Sequence, residues 1–358
     1  MLKHRFLFIL AILIGAALNT NAQSGINQLF ISTASDEFHL IDAYSTPLYK
    51  AIGANLNTGW TNTATVNDHF TFDLRFNVSV TPFPNADRTF DASKIGLTTL
   101  VPANPNKTIS PTIGGGTTVG PVYNLDNNGT VVDQFTLPKG QASSVQTKQI
   151  QLTFGITKNT DIIIRGIPDV DMGDNFGKYS MIGFGIKHNI LKDIMDDEQE
   201  NIPFKLAVLF GYTHLNLNMP LNVQPISNTP VATFFGNQST DFSNQYLEGK
   251  FNSYVAQVIM SDKIAFVTPF LAVGYNTTSY NVNAIGNYPY LFYENQYYYL
   301  PLRSGVYSKS AFGVSALGVN LGFQVNFDRF RIGASYSISD LQGSASYNTF
   351  NASASVVF

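Results

Sequence analysis

The chain has 358 residues, 44% of them apolar and 13% aromatic but only 13% charged, where soluble domains carry about 25% charged residues. It has no cysteine, which excludes disulfide frameworks and thiol chemistry, and a formal charge of −3 with no basic tract gives no basis for a nucleic-acid partner. A mean hydropathy of +0.02 excludes a bundle of membrane helices.

Residues 1–22 combine Lys3, His4 and Arg5 with an apolar run from Phe6 to Leu18 and small residues at Thr20-Asn21-Ala22. This predicts a cleaved secretory signal peptide, because the apolar run is shorter than the ~20 residues a membrane helix needs. Residues 23–54 do not alternate. Thr33 and Asp36 allow a capping box, and Phe38, Ile41, Tyr44 and Leu48 share a helical face. Pro47 is expected to break or restart that helix and Gly53 to end it. The segment reads either as a periplasmic tail or as a hatch folded into a lumen, with Asp36, Glu37 and Asp42 available to pair with bases there.

Strands follow. In "FTFDLRFNVSVT" (70–81), Phe70, Phe72, Leu74, Phe76, Val78 and Val80 fall on one face, and Asp73 and Arg75 on the other. The same period of two runs through 149–156, 161–166, 181–188, 204–214, 317–327 and 330–339, and more weakly near 55–65, 250–261, 264–282 and 346–358. Most of these runs exceed the 5–6 residues of soluble strands and match the ~9–11 of membrane strands. Connections alternate between very short (157–160, 261–263, 328–329) and long (169–178, 219–246, 284–311). Short periplasmic turns and long outer loops mark an outer-membrane barrel, which must close because a bilayer cannot satisfy strand edges.

The expected fold is therefore all-β: a closed antiparallel transmembrane β-barrel over 55–358, of about 12 strands with 14 as the alternative, and a long loop excursion at 83–144. Within the excursion, Asn128-Gly129 reads as a hairpin turn, and the stretch is expected to hold a missing strand or an outer hairpin. Face and parity place Asp73, Arg75, Asp161, Arg165, Lys187, Lys205 and Arg331 in the lumen. Lys187, Lys205 and Arg331 fall near the periplasmic mouth, where they pair either with the hatch acids or across strands, as Asp161 with Lys187. Phe358 ends an alternating strand and resembles the aromatic signal read by bacterial barrel-assembly machinery. The outer loop "YPYLFYENQYYYL" carries Tyr288, Tyr290, Phe292, Tyr293, Tyr297, Tyr298 and Tyr299. These aromatics either grip an apolar ligand or form an interfacial girdle.

The stretches "LNTGWTNTA" (56–64), "TFDASKIGL" (89–97), "GITKNTDIIIRGIP" (155–168), "GFGIKHNI" (183–190) and "PFKLAVLFGYTHL" (203–215) resemble an uncharacterised family of Bacteroidetes outer-membrane barrels, a domain of unknown function. A hatch ahead of a medium barrel is also similar in architecture to the long-chain fatty-acid transporters. The resemblance implies a bacterial outer-membrane location and no activity. Catalytic constellations are lacking: His39, His69, His188 and His214 form no nucleophile group, and "DVDMGD" (169–174) lacks the spacing of a calcium hand. No cofactor and no metal are expected, and the chain is not expected to be an enzyme. The expected partners are outer-membrane lipid, lipopolysaccharide, the assembly machinery and a hydrophobic or amphipathic ligand. The first function is a passive or gated channel for such a compound. The alternative is a structural or surface-interaction barrel whose outer loops bind a partner, and a barrel lipid hydrolase comes last.

Overall fold

The computed structural model describes residues 27–30, 34–127, 129–171, 177–195, 202, 204–225, 240–294, 296–303, 307–341 and 345–358. The predicted signal peptide, Thr33 and Asn128 lie outside them. Ten strands close into one barrel: β1 (Phe72–Pro82), β2 (Ser144–Gly155), β3 (Thr160–Asp171), β4 (Lys178–Asn189), β5 (Phe204–Leu221), β6 (Gln245–Asp262), β7 (Val267–Ile285), β8 (Ser308–Phe327), β9 (Phe330–Leu341) and β10 (Tyr347–Val357). Each pairs antiparallel with its sequence neighbours. β1 closes the ring against β10, with Leu74 opposite Val356 and Phe76 opposite Ala354. Phe358 completes the seam, exchanging backbone hydrogen bonds of 2.8 and 3.2 Å with Phe72. A closed ring leaves no edge strand unpaired.

The count of ten corrects the expected 12 or 14. Residues 55–65 are not a strand; they end a helix and then run through the lumen. The excursion after β1 adds no barrel strand either. It folds into small sheets of its own, Thr89–Asp91 with Ile109–Pro111, and Leu100–Pro102 with Val122–Asn127 and Thr130–Thr136. The last two form the predicted hairpin, with Gly129 at φ +89° in the left-handed region that glycine tolerates. The tight β2–β3, β6–β7 and β8–β9 turns lie at one mouth with the C-terminus, as does the longer β4–β5 connection, and the excursion and the long β5–β6 and β7–β8 connections lie at the other, with the short β9–β10 one.

The faces follow the alternation. In β5, Phe204 and Phe210 are exposed and face outward, and Ala207, Leu209 and Thr213 are buried inward. Beyond Tyr212 the same pleat continues but the chemistry of its two faces swaps. Leu215, Met219 and Leu221 are buried inward, while His214, Asn216 and Asn218 face out. The same swap falls in β6 between Tyr254 and Phe251, and in β7 between Tyr275 and Tyr280. The outward apolar side chains thus form a band with Tyr212, Tyr254 and Tyr275 on one rim and Phe204, Phe266, Phe327 and Phe330 on the other. Strands β5–β8 hold 18–20 residues and rise well past the tyrosine rim, whereas the other six hold 11 or 12.

Candidate functional site: a plugged lumen

The segment ahead of β1 packs against the inner faces of the barrel strands. Helix α1 (Ala34–Leu56) stays helical through Pro47 and past Gly53, so the expected break and end do not occur. An interior proline costs ~3 kcal/mol. Here Leu40, Ile41, Tyr44, Ala51, Ile52 and Leu56 are buried in one core with the inward Leu215, Phe251, Tyr280 and Val282 of the wall, which offsets that cost. The start of the segment sits at the long-loop mouth. Phe30 stacks on Tyr288 with ring centroids 4.9 Å apart, and the Asn222 backbone N–H donates to Asn27 Oδ1 over 3.2 Å. From Leu56 the chain runs down the lumen and turns into β1 at the tight-turn mouth. The described part of the segment therefore runs from the long-loop mouth to the tight-turn mouth along the inner faces of the strands.

Asparagines wire this descent to the wall. Asn55 donates to Thr81 Oγ1 over 3.0 Å and accepts from Thr147 Oγ1 over 2.6 Å. Asn57 donates to Thr278 over 3.1 Å and accepts from Ser253 over 2.9 Å. Asn62 donates to Ser353 over 2.7 Å, and Thr63 Oγ1 lies 3.1 Å from Ser261 Oγ. Gly59 has φ +74°, where a side chain is strained, and a Cβ there would lie 2.1 Å from Asn77 Nδ2, which would have to move.

The centre is Trp60, the chain's sole tryptophan, only 2% exposed. Room for its ring comes from Gly185 and Gly211, where an added Cβ would stand 2.8 and 2.6 Å from ring carbons. The Arg165 guanidinium lies 3.6 Å from the ring centroid. It donates to the carbonyl oxygens of Thr58 (3.0 Å) and Leu56 and to Thr213 Oγ1. Among the described residues no carboxylate pairs with it. Its cation is held by the tryptophan face and by plug carbonyls, which ties β3 to the plug.

The other predicted lumen charges gather at the tight-turn mouth. Asp161 faces Lys187 across β3 and β4, with Nζ and Oδ2 3.1 Å apart, as the cross-strand alternative expected. Asp73 pairs with Arg331 at 2.9 Å and with Arg75 at 3.7 Å. These charges do meet the plug, but at its backbone and amides. Lys187 donates to the Thr65 carbonyl over 2.6 Å, the Asn67 N–H to Asp161 over 2.9 Å, and Arg331 to Asn67 Oδ1 over 3.2 Å. Lys205 is half-exposed at the same mouth.

The hatch acids Asp36, Glu37 and Asp42 lie at the opposite mouth, so their expected pairing with Lys187, Lys205 and Arg331 is corrected. Asp36, fully buried, accepts five hydrogen bonds of 2.8–3.0 Å from the backbone N–H groups of Thr98, Thr99 and Leu100 and the two threonine hydroxyls. Such a nest of donors satisfies a carboxylate without a cation. Asp42 pairs with Lys309, and Lys50 with Asp87 at 3.1 Å. Glu37 is buried near Tyr288. The Tyr49 and Tyr307 hydroxyls lie 3.4 Å apart, and burial holds both phenols, and that of Tyr44, above their usual range. Of the outer-loop aromatics, Tyr288 is buried and Tyr290 half-buried. Phe292, Tyr293, Tyr297, Tyr298 and Tyr299 lie on the hairpin Asn287–Glu294 with Gln296–Arg303, and their side chains fall outside the described set.

Sequence reasoning missed Trp60 and its two glycines. Their signal was a lone tryptophan in a stretch without clean alternation and glycines at inward positions of "GFGIKH" and "LFGYTH". A cavity between α1 and the wall, lined by Leu48, Tyr49, Leu217 and Phe251, has a volume of about 20 Å³, space for a water molecule. Among the described residues no three His, Cys, Asp or Glu side chains converge as metal ligands.

The fold is a closed up-and-down β-barrel with an apolar outer band and with α1 packed against the inner faces of its strands. The chain belongs to the Family of unknown function (DUF6588), whose model matches residues 1–358. No curated relative matches its sequence. Similar solved barrels include Ail, the attachment invasion locus protein of Yersinia pestis, at 9% identity and a TM-score of 0.28, covering 81% of this chain and 99% of that one. The translocator domain of the autotransporter NalP from Neisseria meningitidis shows 10% identity and a TM-score of 0.29 over 82% of this chain and 90% of that one. The Pseudomonas putida toluene transporter TodX shows 12% identity and a TM-score of 0.29 over 82% and 69%. Superpositions this loose carry no functional argument.

Proposed function

We propose that the protein is an outer-membrane β-barrel, sealed by its own N-terminal segment, that acts at the cell surface through the structured mouth bearing the excursion and long loops. The membrane reading is supported by the ring closure that a bilayer demands and by the band. From Phe204 to Tyr212 a strand rises ~20 Å along the axis at ~3.3 Å per residue and ~40° tilt, near the ~25 Å apolar band of membrane barrels. The partners this implies are lipid, lipopolysaccharide and the assembly machinery. The tight turns face the periplasm and the long loops face outward.

One observation carries the sealed reading: Trp60 and Arg165 are locked together in mid-lumen by a ring contact and plug carbonyls. A gated channel for a hydrophobic compound, the first expectation, would have to extract this contact, the asparagine ladder and a buried helix together. Exposed ion pairs worth about 0–1 kcal/mol each do not describe such a plug. We propose no catalytic role.

The absence of native cysteine gives a clean test. Asn104→Cys in the excursion and Asn27→Cys at the plug's start should react with an impermeant maleimide on intact cells, and Lys263→Cys in a tight turn only after permeabilisation. Labelling of Lys263→Cys alone on intact cells contradicts the orientation. Porin-like conductance of the purified full chain contradicts the seal.

A further inference from the structure

Above the tyrosine rim, β5–β8 form a palisade whose inner face packs on α1 and whose outer face is unlike an ordinary solvated surface. Its register sets out rows. Tyr212, Tyr254, Thr277 and Ser315 form the rim row. Next come His214, Asn252, Ser279 and, by register, Phe312, then Asn216, Lys250, Asn281 and Ser310, then Asn218, Glu248, Asn283 and Ser308. Among the described residues of these rows on β5–β8 the charges are Lys250 and Glu248, which cancel in an ion pair of 2.9 Å; Lys178 of β4, which continues the Asn218 row, pairs with Asp171 at 3.9 Å. Surfaces built for water carry roughly 25–35% charged residues of mixed sign. This one offers amides and hydroxyls instead.

We propose that this face binds the neutral sugars of a glycolipid anchored in the adjoining outer leaflet; the inference rests on the outer-membrane reading. The chemistry fits hydroxyl-rich rings. An amide presents both donors and acceptors, a serine or threonine hydroxyl does the same, and the rim tyrosines add flat faces for stacking. A phosphate partner would call for clustered arginine or lysine, and the palisade has none. Position selects the source. The rim row is the edge of the apolar band, and Tyr212 in it donates to Asn252 in the next row over 2.8 Å. Acyl chains lying on the band therefore bring their own head group onto these rows. The face measures ~14 Å across four strands and ~20 Å along three row steps, space for a few hexose rings. Its polar atoms are ordered by cross-strand contacts: Asn281 donates to Ser310 over 2.7 Å, Ser308 to Asn283 over 2.7 Å, and Thr277 Oγ1 lies 3.2 Å from Ser315 Oγ.

The test places the full-length barrel in nanodiscs of lipid A lacking core sugars, or of lipopolysaccharide carrying a neutral hexose core, and reads the midpoint of heat-modified gel mobility. The core sugars should raise the midpoint. Asn216→Ala combined with Asn281→Ala, at two solvent-facing positions, should remove that increment and leave the lipid A midpoint unchanged. A wild-type midpoint equal in both lipids overturns the inference, and so does an increment that survives the double substitution. Failure to fold in either nanodisc overturns the membrane reading itself, and this inference with it.

Discussion

Replacing Trp60 with alanine tests the lumen where it is most tightly packed. Truncating a buried tryptophan costs ~3–5 kcal/mol when the surroundings cannot collapse. Collapse is blocked here, because Gly185 and Gly211 carry no side chain to move into the space. Arg165 also loses the ring 3.6 Å away, a contact worth up to ~2 kcal/mol when desolvated. The combined loss, ~5 kcal/mol, is a large share of the 5–15 kcal/mol that holds a typical fold. Urea unfolding in detergent micelles, followed by far-UV circular dichroism because the substitution removes the sole tryptophan, should show the full loss. Trp60→Phe should lie between the two. A change below ~1 kcal/mol would refute the packing of Trp60 against β4 and β5 and the reasoning built on it.

Leu321→Arg, in the middle of the outward face of β8, should cost ~2–4 kcal/mol and reduce the heat-resistant folded form on gels, because a charge there faces the hydrocarbon. Asp36→Ala should remove all five hydrogen bonds from Thr98–Leu100, and amide hydrogen exchange at those residues should accelerate while the strands stay protected. Tyr44, Tyr49 and Tyr307 have phenol pKa values raised by burial above the ordinary 10.0. The stability they contribute is full below that value and falls as pH rises past it, since the unfolded phenols ionise first. Absorbance near 295 nm should therefore show them ionising only as the barrel unfolds.

All ten barrel strands were legible because a period of two survives wherever one face meets hydrocarbon and the other does not. The upper ends of β5 and β6 were not. "HLNLNMPL" continues the same pleat with the chemistry of its two faces swapped, its leucines turning inward to meet α1 once the wall leaves the apolar band, and this reads as noise to a search for one greasy face. The false strand at 55–65 arose from polar and apolar residues alternating for another reason: each asparagine of the plug reaches a different strand. Helix α1 was legible from Ile41 and Tyr44, but its run through Pro47 was not, because the lumen wall that outweighs the proline comes from residues far along the chain. The candidate site was half legible. Parity placed Asp161 and Lys187 correctly, yet nothing local tells that Asp36 meets Thr98–Leu100, a contact made only after the excursion folds over the mouth.

A disulfide between plug and wall tests the central claim, that the N-terminal segment threads the lumen. Thr63 Oγ1 and Ser261 Oγ lie 3.1 Å apart in the lumen, and the chain has no other cysteine to compete. Thr63→Cys with Ser261→Cys, purified from the outer membrane, alkylated and digested, should yield a 63–261 cross-linked peptide in nearly all folded molecules. Free thiols at both positions in a folded barrel would show that the segment does not fill the lumen.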